Sequence, residues 1–264
     1  MKPALKKAYL WLVFTFLYAP ILVLVVFSFN ASKSRASWEG LSLRWYIELF
    51  QDKAIMTALA NTVIIAVVSA VAAAIVGTVA AVGIHNLKGW KKSFIMNVTY
   101  LPVLNPDIVI GISMMLLFIV VSFPRGLASL IIAHITFGLP YVVISVLPKL
   151  AQLDPQIFDA ALDLGATPRE AYMQVILPQI MPGVFTGFLL AFTMSVDDFV
   201  VSFFVTGNGV ANLAISIYSM ARRGINPKIN AVLTLLFAAV AAMMYLIQKR
   251  MGKGVAKGAA EELR

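Results

Sequence analysis

Residues 148–178 read PKLAQLDPQIFDAALDLGATPREAYMQVILP. This polar segment separates two runs, Leu127 to Leu147 and Ile180 to Val205, each long and apolar enough to cross a bilayer, for which about 20 residues suffice. Its own pattern is that of two short capped helices rather than a loose connection. Asp154 ahead of Pro155 is an N-cap followed by proline at the first helical position. Ile157, Phe158, Ala161 and Leu162 then fall on one face, and Gly165 supplies a C-terminal stop. Thr167, Pro168 and Glu170 restart a helix through a capping box, in which threonine satisfies a free backbone N–H and glutamate reaches back. Val175, Ile176 and Leu177 lead to Pro178, where the spacing predicts an end or a kink. A compact projection at one membrane face follows. It is either a hairpin that ties two spans together or a docking element for a soluble partner.

Outward from this loop the chain is apolar throughout. Of 264 residues 61% are hydrophobic and 12% charged, with a mean hydropathy of +0.89. A soluble domain has about half its residues apolar and about a quarter charged, so a water-soluble globule, a disordered protein and a nucleic-acid-binding domain are all excluded. Further runs at Leu10 to Phe29, Thr62 to Ile84, Phe94 to Phe123 and Ile229 to Gln248 bring the expected spans to six, in an all-α integral membrane fold. The first run is longer than a signal-peptide core and no small-residue cleavage site follows it, so it reads as a retained anchor. No internal repeat is evident, and an inverted-repeat carrier gains no support. There are no cysteines and two histidines, which removes disulfides and thiolate chemistry and leaves little for a metal site.

The net charge of +9 matters through its distribution. Lys2, Lys6, Lys7, Lys88, Lys91, Lys92, Lys149, Arg169, Lys249, Arg250, Lys253, Lys257 and Arg264 fall on one side of a six-span topology. Lys33, Arg35, Arg44, Lys53, Arg125, Arg222, Arg223 and Lys228 fall on the other. With 13 basic residues against 8, the positive-inside rule places both termini in the cytoplasm and the 148–178 loop beside them. The tail from 250 to 264 has no periodicity and reads as a loose cytoplasmic end. The outer loop from Asn30 to Asn61 carries Trp38, Trp45 and Tyr46, which suit a short interfacial helix; packing on the membrane and docking of an external partner are both open.

Three acids lie inside apolar runs: Asp107, Asp197 and Asp198. Each costs about 2.5–3.5 kcal/mol at a lipid-facing helix centre, so the three are expected to line a cavity or to pair. Asn105-Pro106-Asp107 breaks the third run, because proline removes a donor and disfavours helix before it, and the freed backbone groups need protein or water around them. At about 1.5 Å per residue from the cytoplasmic entry, Asp107 lies roughly 20 Å and Asp197 roughly 26 Å up, at comparable depth. The helical step of about 100° keeps Asp197 and Asp198 from facing the same point. They either supply countercharge to a cationic solute, through charge-assisted hydrogen bonds, or cap a half-helix and brace a subunit contact. Tyr141 could add an aromatic face for an ammonium or simply pack. His134 reads as an interior hydrogen-bonded residue. Gly183 and Gly187 form a small-residue step suited to helix contact. No Gly-x-x-x-x-Gly-Lys-Ser/Thr phosphate loop is present, so any energy comes from a partner or a gradient.

Asp159-Ala160-Ala161, Gly165 and Ile176-Leu177-Pro178 resemble the coupling motif of ABC-importer permeases, in which Glu-Ala-Ala is followed by Gly and then by Ile-x-Leu-Pro at matching spacing. Two departures are Asp159 in place of glutamate and the direct adjacency of Ile176 and Leu177. Further segments, Ile135 to Pro140, Asp163 to Ala166, Ser195 to Ser202, Phe204 to Gly207 and Pro106 to Val109, are similar to permeases of the spermidine/putrescine branch along nearly the whole chain. The resemblance implies a single permease domain over 1–264 of the type I importer fold and no catalysis in this chain. It further implies a homologous second permease, two cytoplasmic ATPases that bind ATP and Mg, an external polyamine-binding protein that sets much of the selectivity, and a bacterial inner membrane. Asp159, Ala160, Ala161, Gly165, Leu177 and Pro178 would meet an ATPase, with the small residues as the close-contact face. Asp107, Asp197, Asp198 and Tyr141 would line the pathway. A permease for another organic cation or small solute, and a gradient-driven carrier working alone, are the competing readings.

Overall fold

The computed structural model describes residues 3–33, 37–207, 209–223 and 227–242. The tail from 250 to 264 and the last six residues of the expected sixth span lie outside the described residues. Among the described residues the secondary structure is helical, apart from an isolated bridge between Asn30 and Leu41. The chain divides into two compact units: one formed by its two ends, up to Met56 and from Ile217, and the other by Thr57–Ser216.

In the first unit α1 (Pro3–Ser28) holds the apolar stretch Tyr9–Ser28, exposed or half-buried as far as Phe27 and buried at Ser28. The loop after α1 then folds about Asn30. Its amide accepts from Glu39 N at 3.0 Å and donates to Ser37 O at 2.8 Å, and its carbonyl takes the Trp45 indole at 2.7 Å. Trp45 opens α2 (Arg44–Gln51), the short helix expected of this loop, and buries with Leu49 while Ile47 and Phe50 stay exposed. Near the other end of the chain a helix, Lys228–Ala242, starts with its lysine 3.3 Å from Asp52 and 3.8 Å from Glu48. This is the described part of the sixth expected span.

The second unit is organised on α6 (Leu127–Ala151), whose buried residues recur along its length. It packs between α3 (Lys53–Asn86) and α9 (Leu177–Asp197). Within a membrane, burial of apolar surface drives helix association little, and close packing of small residues replaces it. A Cβ on Gly187 would stand 2.7 Å from Val142 Cα, one on Gly183 2.9 Å from Ser145 O, and one on Gly77 2.7 Å from Val142 Cβ. Gly183 and Gly187 are thus contact residues.

The third expected span is not straight. α4 (Gly89–Leu104) and α5 (Asp107–Val120) meet at Asn105-Pro106 with a bend of 106°. The expected break is there, but depth reckoned along one straight helix does not carry past Leu104.

The helix of the fifth expected span differs at both ends. It starts ahead of the span, within the 148–178 loop, and runs unbroken from Pro168 to Asp197 through α8 (Pro168–Glu170) and a π-helical turn at Ala171–Ile176. Pro178 therefore does not end the helix. The wider turn, closed by Leu177 N to Tyr172 O, puts Pro178 in the first turn of α9, where a missing N–H costs little. It also ends earlier, at Asp197 rather than Val205; α10 (Val200–Val205) is a separate short helix. α11 (Leu213–Arg222) follows. Among the described residues four helices are long and apolar enough to cross a membrane, five if the bent α4–α5 pair forms one span.

Candidate transport pathway and coupling loop

The 148–178 loop carries α7 (Ile157–Asp163). The helix starts later than expected. Gln156 is its N-cap, and Asp154 instead accepts Gln156 N at 2.9 Å, because Pro155 holds the turn ahead of the helix. Ala161 is buried, Ile157, Phe158 and Leu162 are half-buried, and Asp159, Ala160, Asp163 and Leu164 are exposed. The motif alanines thus split: Ala161 packs inward and Ala160 outward, since neighbouring helical residues point about 100° apart. α7 closes in a Schellman motif, with Gly165 N on Leu162 O at 2.9 Å and Ala166 N on Ala161 O at 3.1 Å. That motif needs Gly165 at φ +89°, a region that costs a side-chain-bearing residue about 1–2 kcal/mol. No atom lies within 4 Å of a Cβ built there, so Gly165 also presents a clear surface.

The capping box forms as read. Thr167 donates its N–H and its hydroxyl to Glu170 Oε2 at 2.8 and 2.7 Å, and Glu170 N returns to Thr167 Oγ1 at 3.3 Å. The backbone N–H of Thr167, then its hydroxyl, hold the Glu170 carboxyl below its ordinary value. Phe158 packs on Tyr172 of the π turn at 4.9 Å, and Tyr172 takes the Asn86 amide at the end of α3 at 3.2 Å. Through these contacts a push on α7 reaches both α9 and α3. Leu177 is half-buried and Pro178 exposed at the start of α9.

The acids of the apolar runs meet on the same unit. α5 packs on α10 through Gly111, where a Cβ would come within 3.0 Å of Phe204 Cδ2 and 3.3 Å of Val201 Cα. This brings Asp107, at the first turn of α5, toward Asp197, at the last turn of α9. Asp107 stands within Coulombic range of Asp197 and of Tyr141 on α6. Asp107 and Asp197 are both exposed and Tyr141 is half-buried, its ring edge-on to Phe137 at 5.7 Å. Asp107 is thereby the acid that relates electrostatically both to Asp197 on α9 and to Tyr141 on α6.

Asp198 is used differently. It is buried, and its carboxylate caps α10, accepting Val201 N at 3.1 Å and Ser202 N at 2.7 Å. Its Oδ2 lies 3.4 Å from His134 Nε2. The expected interior role of His134 is met by Ser195 Oγ at 2.5 Å from Nδ1 and Ser202 Oγ at 3.0 Å from Nε2. Asn212 completes the cluster, donating to Ser202 Oγ at 2.8 Å and to the Asp198 carbonyl at 3.3 Å. Nothing in the sequence alone assigns a role to Ser195 or Ser202. The available signal was their presence as small polar residues flanking an acidic pair inside an apolar run.

Residues 73–257 match the family described as binding-protein-dependent transport system inner membrane component. The chain belongs to that family. This inner membrane component is similar to the putrescine transport system permease protein PotI of Escherichia coli K12, at 43% identity over 88% of this chain and 85% of PotI. It is also similar to the spermidine/putrescine transport system permease protein PotC of the same strain, at 35% identity over 96% of each chain. In fold it is similar to a chain of a bacterial ABC transporter involved in the import of the acidic polysaccharide alginate (TM-score 0.70, 17% identity, 94% of each chain). A second similar chain comes from that type of transporter in complex with an alginate pentasaccharide-bound periplasmic protein (TM-score 0.69, 18% identity, 92% of this chain and 90% of the other). The all-α integral membrane fold expected from the sequence is thus shared with these ABC-transporter chains.

Proposed function

We propose that this chain is one of two homologous permease subunits of an ATP-driven importer of polyamines such as putrescine and spermidine. Two cytoplasmic ATPases that bind ATP and Mg drive it, and an external binding protein delivers the amine. The observation that carries the substrate class is the placing of Asp107 and Asp197, both exposed, at the facing ends of α5 and α9, with Tyr141 on the neighbouring α6. A polyamine entering a membrane loses hydration from several ammonium groups at once, and separate carboxylates replace it with charge-assisted hydrogen bonds. The phenol ring offers a cation–π face beside them. An anionic solute would be repelled by the same groups. The similarity to permeases of putrescine and spermidine systems supports this reading.

On this reading the 148–178 loop is the coupling element. Asp159, Ala160, Asp163, Leu164 and Gly165 form its outward face toward an ATPase, while Ala161, Leu177 and Pro178 link that face to α9. Both termini are cytoplasmic. The test is uptake in vesicles containing the complete importer, with ATP inside and labelled putrescine outside. Uptake should require ATP, and should be competed by spermidine and not by a neutral solute. Uptake in vesicles that hold this chain alone, without ATP, would instead show a lone carrier.

A further inference from the structure

We infer that His134 is a positioning residue for the transport route: from α6 it clamps both sides of the α9–α10 break and so aims Asp197 into the pathway. This rests on the reading of Asp197 as a countercharge for the amine. The His134 side chain is fully buried and both of its ring nitrogens are engaged, one by Ser195 before the acidic pair and one by Ser202 after it. Within that bracket Asp198 is fixed by two backbone N–H groups and by Asn212 on its carbonyl. Asp197 alone in this bracket is exposed, on a segment held at both ends by those bonds.

The carboxylate of Asp198 beside Nε2 favours the proton on that nitrogen, leaving Nδ1 to accept the Ser195 hydroxyl. Ser202 Oγ then accepts from both His134 and Asn212, using both lone pairs. Ser195 also lies 3.4 Å from Ser69 Oγ, which extends the clamp to α3. A polar network with its members satisfied is rigid and specific, whereas a half-satisfied one is loose. Tyr141 lies seven residues after His134, two turns along the same face of α6. One helix face therefore carries both the clamp that orients Asp197 and the phenol beside Asp107.

The chain has no cysteine, which makes the test direct. In the complete importer, Asp197→Cys is labelled from outside with the cationic reagent 2-aminoethyl methanethiosulfonate, and labelling of this chain is read by mass. His134→Ala in that background should slow labelling about tenfold, with His134→Gln, which keeps one N–H toward Ser202, falling between. Leu41→Cys, at an exposed position of the outer loop, serves as a reference whose labelling neither change should alter. With Asp197 intact, His134→Ala should raise KM for putrescine about tenfold and leave Vmax within about threefold. Unchanged labelling at position 197, or equal slowing at Leu41→Cys, overturns the proposal. Should His134→Ala fail to assemble, His134→Gln must still label more slowly than the parent, and equal rates overturn it. Protection of the Asp197→Cys thiol by putrescine, with His134 intact, tests the underlying countercharge reading separately.

Discussion

At Asp198 both carboxylate oxygens accept backbone N–H groups of the next helix and the charge sits beside His134, while the adjacent Asp197 stays exposed. The two acids should therefore respond differently to substitution. Asp198→Ala removes a buried cap and leaves two N–H groups unsatisfied, a loss of about 1–2 kcal/mol that should lower the thermal midpoint of the purified permease. Asp197→Asn should leave that midpoint within error and raise KM for putrescine in vesicle uptake by about tenfold, the effect of about 1.4 kcal/mol. A fall in midpoint for Asp197→Asn equal to that of Asp198→Ala would show that Asp197 too is structural.

Among the elements, the α6–α9 contact and the coupling loop illustrate two kinds of constraint. The helices meet where Gly187 has no room for a methyl group: a Cβ would stand 2.7 Å from Val142 Cα, which is backbone and cannot swing away. Gly187→Ala should cost about 1–3 kcal/mol by overpacking, read as a lower thermal midpoint, whereas Gly83→Ala, where a Cβ meets open space, should not destabilise. The loop is held at its second turn by the Thr167–Glu170 capping box. Because the Glu170 carboxyl is held below its ordinary value near 4.5, the folded loop favours the ionised form. That contribution is complete above the unfolded value and is lost as pH falls through the lower, folded one. Hydrogen exchange at residues 167–171 should be flat from neutral pH to pH 5 once corrected for intrinsic rates, and rise below about 4.5; Thr167→Ala should remove the step. The π turn beyond it was not foreseen, since periodicity cannot distinguish a continuous helix with one widened turn from a helix that stops at Pro178.

For the whole molecule, the decisive link is from α7 to the membrane helices. Phe158 against Tyr172, and Tyr172 against Asn86, connect the exposed face of α7 to α9 and α3. If that face docks on an ATPase, Gly165→Trp should abolish co-purification with it, because a large side chain then projects from a surface that is clear at Gly165. Phe158→Ala should instead keep the ATPase bound while uncoupling ATP hydrolysis from uptake. Retained co-purification with Gly165→Trp would place the ATPase contact elsewhere.

The sequence by itself determined the fold class, the family, the Thr167–Glu170 capping box and the Gly165 stop, because these depend on short-range chemistry; the N-cap of α7, expected at Asp154, falls instead at Gln156. About 20 apolar residues must span a bilayer, a Thr-x-x-Glu pair must close on itself, and a glycine must take the left-handed stop after α7. It also located Asp107, Asp197 and Asp198 as charges that lipid would not hold, and Tyr141 as a ring that could face an ammonium or simply pack. Only the tertiary structure decided which acid was spent on a cap, that α5 folds back by 106°, and that His134 joins serines separated by Asp197 and Asp198. Those outcomes depend on which helices pack together. In a membrane that choice follows from close fit and satisfied polar groups, neither of which a linear pattern of apolar residues records.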